Sequence, residues 1–174
     1  MIGGAVLCGG RSTRMGKDKA FVLLEGVTLA RRTADVMASA GCSPVVLTGR
    51  QPELNNLGLP VIADAATDFF HPLLGVAAVL HSATTHLVLF APCDVINLHP
   101  AHLKPLLMHN GPCVATQNGQ NHPLVCVIST DQAPRAVEFA HKGRSVRDFV
   151  HALPAVQVPQ PSLNDANSPY DLPR

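Results

Sequence analysis

At 174 residues, 47% hydrophobic and 14% charged, the chain is long and apolar enough to bury a sizeable core, which excludes a disordered segment. A formal net charge of +1 gives no reason to expect a nucleic-acid partner, and no uninterrupted apolar run would span a bilayer. A single domain over residues 1–174 is expected, in the cytoplasm, because Met1-Ile2-Gly3-Gly4 puts no basic region ahead of an apolar core.

The first predicted element is a short buried strand, Gly3 to Leu7, which empties into a glycine-rich, basic loop ending at Lys19. Thr28 to Ala40 predicts a helix, with Thr28 as N-cap and Gly41 as terminator. Pro44 to Leu47 predicts a second strand, and Val61-Ile62 a third that ends at Asp64. Leu73 to Ser82 has helical periodicity, and His86 to Ala91 reads as a buried strand running into Pro92-Cys93-Asp94. This alternation predicts a parallel sheet with helices on both faces. Leu103 to His109 reads as a helix. Cys113 to Gln117 and Leu124 to Ser129 read as strands joined across Asn118-Gly119-Gln120-Asn121, whose Asn-Gly is a hairpin signal that makes the sheet mixed. Ala133 to His141 and Ser145 to Leu153 are helical. Pro154 to Pro161 is extended, and Ser168 with Asp171 forms the capped start of a vestigial terminal helix.

Five cysteines, at 8, 42, 93, 113 and 126, are an odd and scattered set with no metal or redox spacing, and read as reduced thiols packed as small hydrophobes. His99 and His102 share a helical spacing but flank Pro100 and lack acidic or thiol company, which argues against a metal pair.

The chemistry is concentrated in residues 7–19, Leu-Cys-Gly-Gly-Arg-Ser-Thr-Arg-Met-Gly-Lys-Asp-Lys. Glycines let backbone N–H groups approach a ligand, and the cations answer negative charge, so a loop of this kind at a strand end suits a nucleoside triphosphate. A Walker-type loop is excluded, because five residues separate Gly10 from Gly16 and Asp18 follows Lys17. The dinucleotide fingerprint fails too, since Arg11-Ser12-Thr13 follows the paired glycines. Ligands of open sheets bind beyond the carboxyl ends of strands, where this loop, Asp64 and Asp94 all fall. By the residues alone, Asp94 is either a metal ligand or a turn cap. Lys17 reads as solvent-facing, and Arg11 stays open.

Residues 7–19 resemble the signature Leu-Ala-Gly-Gly-x-Ser-x-Arg-Met-Gly-x-Asp-Lys of nucleotidyltransferases related to molybdenum cofactor guanylyltransferase, departing at Cys8 where the family usually has alanine. The resemblance implies a three-layer α/β/α fold of the nucleotide-diphospho-sugar transferase type, with a mostly parallel, mixed sheet. It implies transfer of GMP from GTP to the terminal phosphate of molybdenum-bound molybdopterin, with Mg2+ as cofactor and transient contact with cofactor-insertion proteins. Arg14, Lys19 and Asp94 would then be catalytic, with Asp94 the metal ligand. Leu7, Cys8, Gly9, Gly10, Lys19, Thr48, Asp64, Gly75 and Asp94 would bind the nucleotide, and His122, Arg144 and Asn167 the acceptor. The family pattern is also broken at Thr48, which stands for an asparagine, at His71 for the first glycine of Gly-Pro-Leu-x-Gly, and at Asp165 for the first asparagine of Asn-x-Asn-Thr-Pro-x-Asp-Leu. Cys8-Gly9-Gly10 falls on the guanine side of the family, whose CTP-using members show Ala-Ala-Gly. The alternatives are a relative using CTP or another phosphorylated acceptor, and a silent nucleotide-binding module, against which the joint retention of Lys19 and Asp94 argues.

Overall fold

The computed structural model describes residues 1–9, 18–63, 69–161 and 163–164. The first strand, β1 (Ile2–Leu7), is followed by a one-turn 3-10 helix (Lys19–Phe21) and a small hairpin, β2 (Leu23–Leu24) and β3 (Val27–Thr28). Then come α1 (Leu29–Ala40), β4 (Val45–Thr48), a 3-10 segment (Pro52–Leu57), β5 (Val61–Ile62), α2 (Pro72–Ser82) and β6 (Leu87–Pro92). The second half holds α3 (Pro100–Met108), β7 (Cys113–Gln117), β8 (Gln120–Ser129), a third 3-10 turn (Thr130–Gln132), α4 (Ala133–His141), α5 (Val146–His151) and β9 (Val156–Pro159).

Seven strands form one sheet in the order β5-β4-β1-β6-β8-β7-β9. β8 alone among them runs against its neighbours β6 and β7, so the sheet is mixed but mostly parallel, as expected. Successive side chains of a strand face opposite sides, and the core divides accordingly. Val6 and Cys8 of the first strand's side, with Leu89, Ala91 and Cys93 of the sixth, pack under α1 and α3. Ala5, Val88 and Phe90 pack under α2, α4 and α5 on the other face. The result is three layers. Phe90, Leu89 and Leu47 are fully buried, and each such side chain contributes about 1.5–3 kcal/mol of transfer free energy. Among the described residues no helix is long and apolar enough to cross a membrane.

The helix α1 follows from local chemistry. The Thr28 hydroxyl accepts from Arg31 N at 3.4 Å, and Gly41 ends the helix at φ 111°. Leu29, Ala30, Thr33, Ala34 and Met37 form its buried stripe. Gly4 lets that stripe sit close: a Cβ there would lie 3.0 Å from the Cys42 Cβ and 3.2 Å from the Met37 sulfur.

Several boundaries differ from expectation. The helix read from Leu103 starts at Pro100, because His99 and His102 close a capping box ahead of it. Nδ1 of His99 accepts from Ala101 N at 3.2 Å, and Nδ1 of His102 accepts from His99 N at 3.1 Å. The strand read from Leu124 starts at Gln120, since Asn118 and Gly119 turn the chain at φ 51° and 73° and let pairing begin at once. Pro154 to Pro161 is extended but also adds β9 to the sheet edge, parallel to β7, where an edge strand tolerates its proline. The β2–β3 hairpin, turned at Glu25-Gly26, was not expected. The terminal helix read at Ser168 and Asp171 lies outside the described residues.

Candidate active site

Three neighbouring parallel strands deliver the site. β1, β4 and β6 end side by side, and the ladder continues past them: Cys8 N donates to Thr48 O at 2.9 Å and Cys93 N to Leu7 O at 3.2 Å. Their carboxyl ends floor a cleft of about 530 Å³. Leu7, Cys8, Gly9, Lys19, Thr48, Gly75 and Asp94, all singled out from the sequence, line it.

Lys19 and Asp94, 75 positions apart in the chain, meet in this cleft. Lys19 Nζ donates to Asp94 Oδ2 at 2.9 Å. Their side chains are 19% and 22% exposed, so the pair belongs to the cleft wall rather than to the open surface. Asp94 is delivered by β6. Lys19 is delivered by its 3-10 turn, which Asp18 caps by accepting from Ala20 N at 3.0 Å through Oδ1. The other Asp18 oxygen accepts a hydrogen bond from Gln51 Nε2. Both oxygens of Asp18 are thereby engaged in holding the loop that presents Lys19.

The N-terminus of α2 faces the same space through Pro72 and Gly75, and its partial positive charge suits an anion. His71 caps that helix, its Nδ1 accepting from Leu73 N at 3.2 Å, which gives the substituted histidine a structural task. Thr48 is 3% exposed, and its hydroxyl finds no hydrogen-bond partner among the described residues. A buried hydroxyl left without a partner beside a cleft is a group that a ligand can satisfy. A Cβ on Gly9 would meet nothing among the described residues within 4 Å.

The structure does not bring every sequence-read residue to the wall. His122, half-buried on β8, and Arg144, exposed after α4, do not line the cleft. Leu124 and Val146, two positions along from each, line it instead. Gly10, Arg11, Arg14, Lys17, Asp64, Asp165 and Asn167 lie outside the described residues. Sequence reasoning missed the Asp18–Gln51 bracket, Cys93 and the Arg50–Phe70 pair, whose guanidinium lies 5.6 Å from the ring centroid at the cleft rim. The aspartate before Lys19 was a readable capping signal; its partner Gln51, Cys93 and the Arg50–Phe70 pair depend on which strand ends lie together.

Residues 4–157 match the family described as the MobA-like NTP transferase domain. The chain belongs to this family. It is therefore a nucleotidyltransferase, and the cleft at the ends of β1, β4 and β6 is its candidate active site. The molybdenum cofactor guanylyltransferase of Serratia proteamaculans (strain 568) is 31% identical over 163 residues, covering 90% of this chain and 83% of that protein. Among solved structures, molybdopterin-guanine dinucleotide biosynthesis protein A from Archaeoglobus fulgidus superposes with a TM-score of 0.72 at 20% identity, over 91% of this chain and 83% of that one. CMP:2-keto-3-deoxy-manno-octonic acid synthetase complexed with CTP gives 0.76 at 11% identity, over 98% and 94%. These two share the nucleotide-diphospho-sugar transferase fold with this chain.

Proposed function

We propose that the chain transfers GMP from GTP to the terminal phosphate of molybdenum-bound molybdopterin and releases pyrophosphate. The observation that carries this reading is the Lys19–Asp94 pair, a cation and a hard oxygen ligand held 2.9 Å apart at the convergence of three strand ends. The name of the Serratia relative supports the acceptor and the base.

An acceptor phosphate oxygen attacks the α-phosphorus in line; one P–O bond forms, the α–β bridging P–O bond breaks, and the electron pair leaves on pyrophosphate. A phosphate monoester is already anionic, so no strong base is needed, and positioning with charge stabilisation carries the rate. Lys19 exchanges Asp94 for phosphate oxygens and stabilises the charge that develops there. Arg14 is assigned the same task. No described residue lies within 4 Å of a Cβ built on Gly9, and a side chain there would crowd a purine.

The residues fit a magnesium ion. Asp18 has both carboxylate oxygens engaged by Ala20 N and Gln51, whereas Asp94 shares one with a cation that the substrate also attracts. Magnesium takes one or two carboxylates together with substrate phosphates, so Asp94 would hold it. Bound there, the ion supplies charge neutralisation on the triphosphate.

The test is pyrophosphate release from GTP with the molybdenum-loaded pterin, titrated with magnesium, in the parent and in Asp94→Asn. The parent should turn over only with magnesium, and the variant should lose that response while keeping its fold by circular dichroism. A fully active variant refutes the metal assignment, and tighter competition by CTP than by GTP refutes the guanylyl assignment.

A further inference from the structure

We infer that Cys8 and Cys93 form a reversible dithiol–disulfide site in the wall of the nucleotide cleft. Leu7 pairs with Pro92 in the parallel register of β1 and β6, so the next pair along the ladder is Cys8 with Cys93. Adjacent strands lie about 4.7–4.9 Å apart, inside the Cα separation of about 4.4–6.8 Å that a disulfide spans. Both side chains fall on the same sheet face, in the core under α1 and α3, and both residues line the cleft, the side from which a small disulfide would approach them.

The other cysteines lack this arrangement. Cys113 and Cys126 sit on neighbouring strands but one position out of register, Cys113 opposite Val127 and Cys126 opposite Val114. That offset sends them to opposite faces of the sheet, into separate halves of the core. Cys42 is packed under α1 against β1. Cys8 is also the one position in residues 7–19 that departs from the family signature.

The chemistry is thiol–disulfide exchange with a small-molecule disulfide. One of the two thiols loses its proton, and its sulfur attacks the reagent, expelling one small thiolate. The second thiol then loses its proton, and its sulfur displaces the other small thiol. Two S–H bonds break, one protein S–S bond forms, and the two electrons leave on the reduced reagent. The sulfurs must close to about 2.05 Å, which draws Gly9 and Asp94 with them. A misplacement on the order of 1 Å at a reacting centre costs roughly 10²-fold in rate.

The full-length protein is incubated with glutathione disulfide, alkylated and mapped by peptide mass. The expected product is a Cys8–Cys93 cross-linked peptide that a reducing agent reverses, with Cys42, Cys113 and Cys126 recovered as free thiols. Absence of that cross-link, or a cross-link to another cysteine, overturns the proposal. The mapping does not depend on the nucleotidyl-transfer reading. The second measurement does: oxidised protein should turn over GTP about 10²-fold more slowly and recover on reduction. Cross-linked protein with unchanged turnover would uphold the site and overturn its coupling to the cleft. Cys93→Ala should give neither the cross-link nor the oxidative loss.

Discussion

Replacing Thr48 by valine should move stability and nucleotide affinity in opposite directions. The Thr48 hydroxyl is buried at the end of β4 with no hydrogen-bond partner among the described residues, so the folded chain carries its desolvation cost. An unsatisfied buried polar group of this kind costs about 1–3 kcal/mol. Valine keeps the branched shape and removes the cost. At this chain length each kcal/mol shifts Tm by about 2–4 °C, so Thr48→Val should melt several degrees higher without nucleotide. If the nucleotide satisfies the hydroxyl, the variant forfeits one hydrogen bond of about 0.5–1.5 kcal/mol, a loss of roughly two- to tenfold in affinity. Thermal unfolding by circular dichroism gives the first number, and calorimetric titration with GTP and magnesium gives the second. A lowered Tm would show that the hydroxyl is satisfied in the free protein. A raised Tm with unchanged affinity would remove Thr48 from the binding site.

Lys19→Ala should lower turnover by roughly 10²-fold or more, the scale for losing one charge-stabilising group; a change below tenfold in single-turnover assays would place Lys19 outside the chemical step. Gly49→Ala puts a Cβ 2.6 Å from Gln51 Oε1 and 2.8 Å from Leu54 Cδ1, and Leu54 is fully buried. Overpacking of this kind costs about 1–3 kcal/mol, read as a lowered urea midpoint, and a midpoint equal to the parent's would mean that the loop yields freely. His102 is held below its ordinary value of 6.5, by burial first and by neighbouring His99 second. The neutral ring is therefore favoured by folding: its contribution is complete above pH 6.5 and is lost as pH falls from there through the folded value. Protonation also removes the Nδ1 acceptor that caps α3, so the pH dependence in this range should flatten in His102→Gln, and an unaltered slope would assign it to other groups.

What was legible in the sequence was whatever depended on neighbours along the chain. The start and stop of α1 sit in Thr28 and Gly41, and the turn between β7 and β8 in Asn118-Gly119, because caps and turns are settled within a few residues. Lys19 stood out because a cation in a glycine loop has few structural uses, and Asp94 because a carboxylate follows a buried strand. β9 was legible only as an extended stretch, since a strand is completed by hydrogen bonds to a partner over 40 residues earlier. His122 and Arg144 were read into the site by resemblance, yet the cleft wall there is Leu124 and Val146, because the position of a strand or helix start sets which residue reaches the cavity.

The sequence by itself determined the kind of chemistry: a glycine-rich cationic loop after one strand, an acid after another, and the alternation that builds a parallel sheet. Only the tertiary structure decided that Lys19 touches Asp94, that Asp18 is engaged by Gln51 and Ala20, and that the register of β1 and β6 sets Cys8 beside Cys93 while Cys113 and Cys126 are turned apart. The reason is register. Residues far apart in the chain become neighbours through the hydrogen-bond ladder between strands, and a shift of one position sends a side chain to the opposite face.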